Sequence, residues 1–213
     1  MDTPLKLDTD AIIWSAGERE RDGRPLLVLL HGYGSHEGDL FGMSPGLPLE
    51  PVVASLRAPI AESGGFAWWS RASGSPAGDP AAAVVDAAAA AVIDWLDTLA
   101  NPSVTLLGFS QGAALALQLN RLAPGRFAAT ISLSGFVAAG GHSGDAELAR
   151  LRPPVFWGRG TDDVIIPPAA IERTAEWLPA HADARIRSYE NLAHSISSAE
   201  LGDVTAFLRQ HAA

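Results

Sequence analysis

The stretch VTLLGFSQGAALAL, residues 104–117, decides the fold of this chain. It begins with apolar and β-branched residues, which favour a strand, and ends in alanines and leucines, which favour a helix. Between the two runs, Ser110 has a glycine two positions before it and another two positions after it. A sharp strand-to-helix turn leaves no room for side chains at those two positions. The stretch therefore predicts a turn that lifts Ser110 above a sheet edge, and a serine that merely caps the helix is the alternative.

The rest of the chain alternates short β-favouring runs with longer helix-favouring ones. Strands are expected at 11–16, 26–30, 52–56, 104–108, 128–133, 155–158 and 185–189, and helices at 80–100, 111–122, 169–178 and 199–210. The middle strands are continuously apolar, which is typical of parallel strands covered on both faces. The pattern predicts an α/β fold with a mostly parallel central sheet and helices on both faces.

Length and composition favour one soluble globular domain over 1–213 with no separate cap domain. The 213 residues suit one domain, and 47% hydrophobic against 18% charged residues exclude a disordered chain. A net charge of −9 argues against nucleic acid or an anionic membrane as partner. The acidic N-terminus does not resemble a signal peptide, and the apolar runs are too short to span a bilayer. We therefore expect a cytoplasmic protein.

Chemistry at Ser110 requires a base and an acid that orients the base, because a serine of ordinary pKa is a poor nucleophile. The chain has no cysteine, which excludes thiolate metal sites and a cysteine nucleophile. Among six histidines, only His194 follows the last expected strand and precedes the last helix. The acid is expected after the strand at 155–158, where Asp162 and Asp163 both occur. We favour Asp163, with Asp162 as a helper.

The same chemistry needs hydrogen-bond donors for a developing oxyanion. The backbone N–H of Gln111, directly after the serine, is one expected donor. The second is expected in the loop after the strand at 26–30, and Tyr33 N–H is our candidate because glycines on both sides of it allow close approach. His31 is expected to order that loop.

A second segment, 62–78, is rich in glycine and serine but contains Phe66, Trp68 and Trp69. We expect these aromatic side chains to line or cover the site, the alternative being that they pack beneath their own loop. An exposed pair, Trp68 and Trp69, would serve a homodimer interface as well as a substrate.

Four blocks of the sequence, at 29–34, 108–112, 163–167 and 189–194, resemble the phospholipase/carboxylesterase family of serine hydrolases. That family includes bacterial carboxylesterases and acyl-protein thioesterases. The resemblance implies an α/β-hydrolase fold with Ser110 as nucleophile, Asp163 as acid and His194 as base. It implies the Tyr33 and Gln111 amides as oxyanion donors and requires no metal or cofactor.

The resemblance also implies residues that bind the substrate. Ile165 corresponds to a family position that lines the acyl pocket, Phe136 to another wall position, and Trp69 lies in a stretch similar to the family's Trp-Phe-Asp. The loop at 35–37 and Ala113, where a glycine is frequent, depart from the family pattern. These departures leave the chemistry intact but weaken the case for a thioester substrate.

The expected activity is therefore that of a serine carboxylesterase acting on small-molecule esters of short to medium acyl chains through an acyl-serine intermediate. Within the same chemistry, the alternative is an acyl-protein or lysophospholipid esterase or thioesterase. A non-catalytic hydrolase-fold binding protein and an acyltransferase are further alternatives. The complete set of triad and oxyanion residues argues against the binding protein, and nothing in the sequence separates an acyltransferase from a hydrolase.

Overall fold

The computed structural model describes residues 4–48, 50–71, 77, 80–100 and 103–211. The strands are β1 Ile13–Trp14, β2 Leu26–Leu30, β3 Val52–Leu56, β4 Ile60–Glu62, β5 Gly65–Ala67, β6 Val104–Phe109, β7 Ala129–Leu133, β8 Pro154–Gly160 and β9 Asp183–Tyr189. The α-helices are α1 Glu37–Phe41, α2 Ala82–Leu96, α3 Gln111–Leu122, α4 Asp145–Leu151, α5 Pro168–His181 and α6 Ser198–His211.

Seven strands form one sheet in the order β1-β3-β2-β6-β7-β8-β9. Every neighbouring pair is parallel except β1 and β3, which are antiparallel at one edge. The prediction of a mostly parallel central sheet is thus confirmed. Because the parallel strands all end at the same edge, the loops that follow β2, β6, β8 and β9 meet above that edge.

Helices cover both faces of the sheet, as the apolar strands predict. In β2, Leu26, Val28 and Leu30 pack in the cluster that contains α2 and α3 side chains. Leu27 and Leu29, which point to the other face, pack with the apolar side of α6. Within the described part of the chain, none of the helices is long and apolar enough to cross a membrane.

Several expected boundaries are wrong. The strand expected at 11–16 contains only Ile13–Trp14, since a 3₁₀ turn precedes it. The helix expected at 80–100 ends at Leu96, because both the amide and the hydroxyl of Thr98 bind the Trp95 carbonyl oxygen. The helix expected to stop at residue 178 continues to His181 through a proline, whose φ suits a helix and which removes only one hydrogen bond.

The sequence does not predict α1, α4 or the β4–β5 hairpin, each of which is too short to show a periodicity. The hairpin occupies part of the segment expected to be a loop. Ser63 and Gly64 form its turn with φ angles of 58° and 80°, which is the backbone conformation that tight hairpins require. The remainder of that segment at 72–76 and 78 lies outside the described residues.

Candidate active site

Ser110 stands on a sharp turn between β6 and α3, with φ 53° and ψ −114°. A side chain at Gly108 would collide with the backbone of Gly112, and a side chain at Gly112 would collide with the carbonyl of Leu30. Only glycine fits at both positions, so the spacing seen in the sequence has a steric cause. The turn holds Ser110 in a conformation that L-residues rarely adopt, which places its hydroxyl at the sheet edge.

His194 links Ser110 to Asp163. Its Nε2 lies 2.9 Å from Ser110 Oγ, and its Nδ1 lies 2.7 Å from Asp163 Oδ2. The Asp163 side chain is only 2% exposed. Asp162 is exposed and accepts a hydrogen bond from the Thr161 hydroxyl instead. Of the two candidate acids, the structure therefore brings Asp163 to the histidine and leaves Asp162 outside.

The carboxylate of Asp163 is held in its charged form. Burial acts to raise its pKa, but the hydrogen bond and charge of His194 outweigh burial and hold the pKa below its usual range. The backbone N–H groups of Ile165 and Ile166 donate to Oδ1 at 2.9 and 3.2 Å and act in the same direction. An ionised acid is what an orienting partner of an imidazolium needs.

Backbone hydrogen bonds continue past the ends of the strands and connect the loops of the site. The N–H of Ser110 donates to Leu133 O, and the N–H of Ser134 donates to Gly158 O. One strand further on, Thr161 N–H donates to Tyr189 O. The segments that carry the serine, the acid and the histidine are therefore registered by the sheet itself.

The loop after β2 lies opposite this row. Tyr33 and Gln111 both line the cavity beside Ser110. Among the described residues, no hydrogen-bond acceptor occupies the backbone N–H of either. Both amides are thus free to bind an oxyanion, as the sequence predicts.

His31, in the same loop, is fully buried and has a structural part. Its Nδ1 donates to Gly32 O at 2.8 Å, and its Nε2 accepts from Ala58 N–H at 3.1 Å. Burial lowers the pKa of the imidazole, although the Gly32 carbonyl acts in the opposite direction. A neutral ring that donates at Nδ1 and accepts at Nε2 agrees with the prediction that His31 orders the loop.

A cavity of about 330 Å³ opens beside Ser110. Trp69, Phe136 and Ile165, the three side chains expected to bind substrate, all lie in its wall. Phe136 and Trp69 are buried, whereas Ile165 is 47% exposed at the mouth. Five further residues of the wall were not predicted from the sequence: Ser35, Asp39, Arg71, Phe109 and Ile166. The last two adjoin the motif residues Ser110 and Ile165, which was the signal available in the sequence.

The expectation of an exposed pair of aromatic residues is wrong. Trp68 is fully buried and Trp69 is 4% exposed. The indole of Trp68 donates to His31 O at 2.8 Å, and its backbone is bound by the side chain of Gln111. These tryptophans therefore do not form a surface patch, and the homodimer stays a prediction without this support.

Metal binding finds no site of the usual composition. Within the described ranges, no group of three or more His, Asp or Glu side chains is arranged to hold a metal ion. The acidic side chains nearest the serine are Asp163, bound to His194, and Asp39, which accepts from the Ser35 hydroxyl at 2.6 Å.

The fold and this arrangement of residues define an α/β hydrolase: a parallel sheet whose central strand ends in a serine-bearing turn, with an acid and a histidine from later strands. The chain belongs to the phospholipase/carboxylesterase family, whose model matches residues 11–212. The match spans all four sequence blocks described above.

Known proteins are similar to the chain to different extents. It is 33% identical over 117 residues to acyl-protein thioesterase 1 of Kluyveromyces lactis, which covers 53% of this chain and 51% of that protein. The chain thus aligns with about half the length of the curated relatives it matches. A carboxylesterase of Mesorhizobium loti has a TM-score of 0.79 at 22% identity, covering 97% of this chain and 99% of that one. Bacillus cereus carboxylesterase has a TM-score of 0.78 at 23% identity, covering 93% of each chain. These two structures support the fold.

Proposed function

We propose that this protein is a serine carboxylesterase that cleaves esters of short to medium acyl chains through a covalent acyl-serine intermediate. The observation that carries the proposal is the unbroken hydrogen-bonded series from Ser110 Oγ through His194 to the Asp163 carboxylate. A serine that merely capped α3 would not need it, and Ser110 makes no side-chain cap to that helix.

In the first half of the reaction, Ser110 Oγ attacks the ester carbonyl carbon while His194 Nε2 takes the hydroxyl proton. The imidazolium that forms is stabilised by the Asp163 carboxylate at Nδ1. Collapse of the tetrahedral intermediate breaks the carbon–oxygen bond of the ester, and the departing alkoxide takes the proton from Nε2. In the second half, water attacks the acyl-serine with its proton going to the same nitrogen, and the acid is released.

The tetrahedral intermediate carries negative charge on the former carbonyl oxygen. The Tyr33 and Gln111 amides face that charge in our proposal, each worth about 10²–10³ in rate by comparison with measured donors. Gln111 also lies at the first turn of α3, whose N-terminal N–H groups favour an anion.

The cavity supports a short or medium acyl chain. Its volume of about 330 Å³ lies at the lower end of the range for small-molecule sites, about 300–1,000 Å³. Trp69, Phe136 and Ile165 give it an apolar wall suited to an acyl chain, while Asp39 and Arg71 make the opposite rim polar. A neutral or zwitterionic leaving group would fit such a rim.

A thioester substrate is the second candidate, because the curated relatives that the chain matches are acyl-protein thioesterases. The chemistry is the same with a thiolate as leaving group. A long protein-bound acyl chain would require more apolar volume than the cavity offers.

The test is a series of initial rates on p-nitrophenyl esters from acetate to palmitate, beside matched acyl thioesters. We expect a maximum at short or medium chains, loss of turnover in Ser110→Ala, and little change in Ser188→Ala, an exposed serine on β9. Turnover retained in Ser110→Ala would overturn the mechanism. A maximum at palmitate, or a strong preference for thioesters, would favour the second candidate.

A further inference from the structure

The side chain of Gln111 forms a double bridge that the proposed mechanism does not use. Its Oε1 accepts the backbone N–H of Trp68 at 2.9 Å, and its Nε2 donates to Trp69 O at 2.8 Å. The residue is 5% exposed. Because donor and acceptor ends each have a partner, the amide has one favourable orientation, and the backbone at 68–69 is fixed to the first turn of α3.

The bridge continues through Trp68 to the opposite loop. The Trp68 indole Nε1 donates to the carbonyl oxygen of His31 at 2.8 Å. The ring is fully buried, with its centroid 5.6 Å from that of His31. That carbonyl belongs to the residue two positions before Tyr33, whose N–H is the second proposed oxyanion donor.

We propose that the Gln111 side chain and the Trp68 indole are positioning residues that set the separation of the two oxyanion donors. The inference rests on the proposed function, since it concerns the same reaction. The backbone N–H of Gln111 is one donor, and its own side chain is connected through Trp68 to the loop that carries the other. In this arrangement, moving Trp68 would move Tyr33 relative to Gln111.

The physical reason for such a device is that β2 and β6 register the two loops only up to the sheet edge. Both donors lie beyond it, where no ladder hydrogen bonds continue between the two loops in the described residues. Buried, fully partnered polar groups at that point restrict the loops to one arrangement, because an unpartnered amide in the interior costs about 1–3 kcal/mol.

The first test is Gln111→Met, which preserves length and removes both hydrogen bonds. Its control is Gln118→Met on the same helix, about 10 Å further along the axis. Gln118 is 1% exposed and donates to Asp86. We expect both variants to lose thermal stability, but only Gln111→Met to lose kcat, by about 10-fold to 100-fold, with KM changed less than about 3-fold.

The second test is Trp68→Phe, which keeps an aromatic ring and removes the bond to His31. Its control is Trp157→Phe, since Trp157 is equally buried and its Nε1 donates to Gly135 O at 2.9 Å. We expect a loss of kcat in Trp68→Phe alone. If Gln111→Met fails to fold, this pair decides the question.

A readout that does not depend on the unidentified substrate is the rate at which a fluorophosphonate labels Ser110. Oxyanion donors accelerate that reaction as they do ester cleavage, so labelling should slow in parallel with kcat in Gln111→Met and Trp68→Phe. Labelling as fast as in the two controls, with Ser110 reactive in the wild type, would overturn this inference alone. A wild type that is not labelled would overturn the proposed function, and the inference with it.

Discussion

The two sides of the cavity are built by different means. On one side, Ser110, Asp163 and His194 follow β6, β8 and β9, and backbone hydrogen bonds run from each strand end to the next. On the other, Trp68 and Gln111 connect their elements through side-chain bonds to backbone atoms. We call these the strand-end side and the bridged side.

The difference shows which parts of a site depend on sheet register and which depend on single contacts. A strand-end residue stays in place as long as the sheet is intact, because many cooperative bonds share the task. A bridged residue depends on one or two bonds, each worth about 1 kcal/mol net. The predictions below perturb the two sides separately, beginning with the largest effect.

The largest effect is expected at the acid of the strand-end side. Asp163→Asn should lower kcat by about 10⁴-fold, because an amide stabilises neither the imidazolium nor the correct tautomer of His194. Asp162→Asn is the matched control and should leave kcat nearly unchanged, since Asp162 is exposed. Steady-state rates decide the matter, and equal losses in the two variants would contradict our assignment of the acid.

The next effect concerns the point where the two sides meet. Gly112→Ala would place a methyl group against the carbonyl of Leu30, and should cost about 3 kcal/mol or more of unfolding free energy because backbone must move. In Gly202→Ala, on α6, nothing lies within 4 Å of the new methyl group. That control should gain about 0.5–1 kcal/mol. Urea unfolding measures both, and an unaffected Gly112→Ala would show that the elbow tolerates a side chain.

A pH-dependent effect is expected behind the strand-end side, where Glu200 of α6 packs against Gly158 of β8. Burial, with a smaller contribution from the charge of Asp203, raises the pKa of the Glu200 carboxyl to about 7. Its Oε1 has no hydrogen-bond partner among the described residues. The unfolded chain titrates near 4.5, so this stabilisation is complete below about pH 4.5 and lost as the pH rises through about 7.

Glu200→Gln should remove that dependence, because the amide stays neutral. We expect the variant to match the wild type near about pH 5 and to exceed it above about pH 8, by on the order of 3 kcal/mol. Melting temperatures across this range test it, with the exposed Glu176→Gln as control. Parallel curves for wild type and Glu200→Gln would contradict the prediction.

The smallest effect is expected at the mouth of the cavity. Ile165 is 47% exposed and lines the cavity, whereas Val164 is 89% exposed and does not. Ile165→Ala should raise KM for a medium-chain ester by about 5-fold, less than a fully buried contact would give. Val164→Ala should have no effect. Equal KM values in the two variants would remove Ile165 from the acyl-binding wall.

The strand-end side could be predicted from the sequence, and the bridged side could not. Ser110, Asp163 and His194 each follow a β-favouring run, and parallel strands bring such positions to one edge whatever the helices do. Trp68 depends on the β4–β5 hairpin, three residues per strand, and on a contact with Gln111 that is 43 residues away in the sequence. No local periodicity encodes such a contact, which is why the tryptophans were expected at the surface.

The backbone hydrogen bonds that continue from Ser110 to Leu133 and from Thr161 to Tyr189 also affect how such an enzyme can diversify. They use no side-chain atoms, so the spacing of the reacting groups is indifferent to which residues form the cavity wall. Substitutions at Trp69, Phe136 or Ile165 can therefore change the substrates accepted while the chemistry is conserved. A fold of this kind separates selection for substrate range from selection for reactivity.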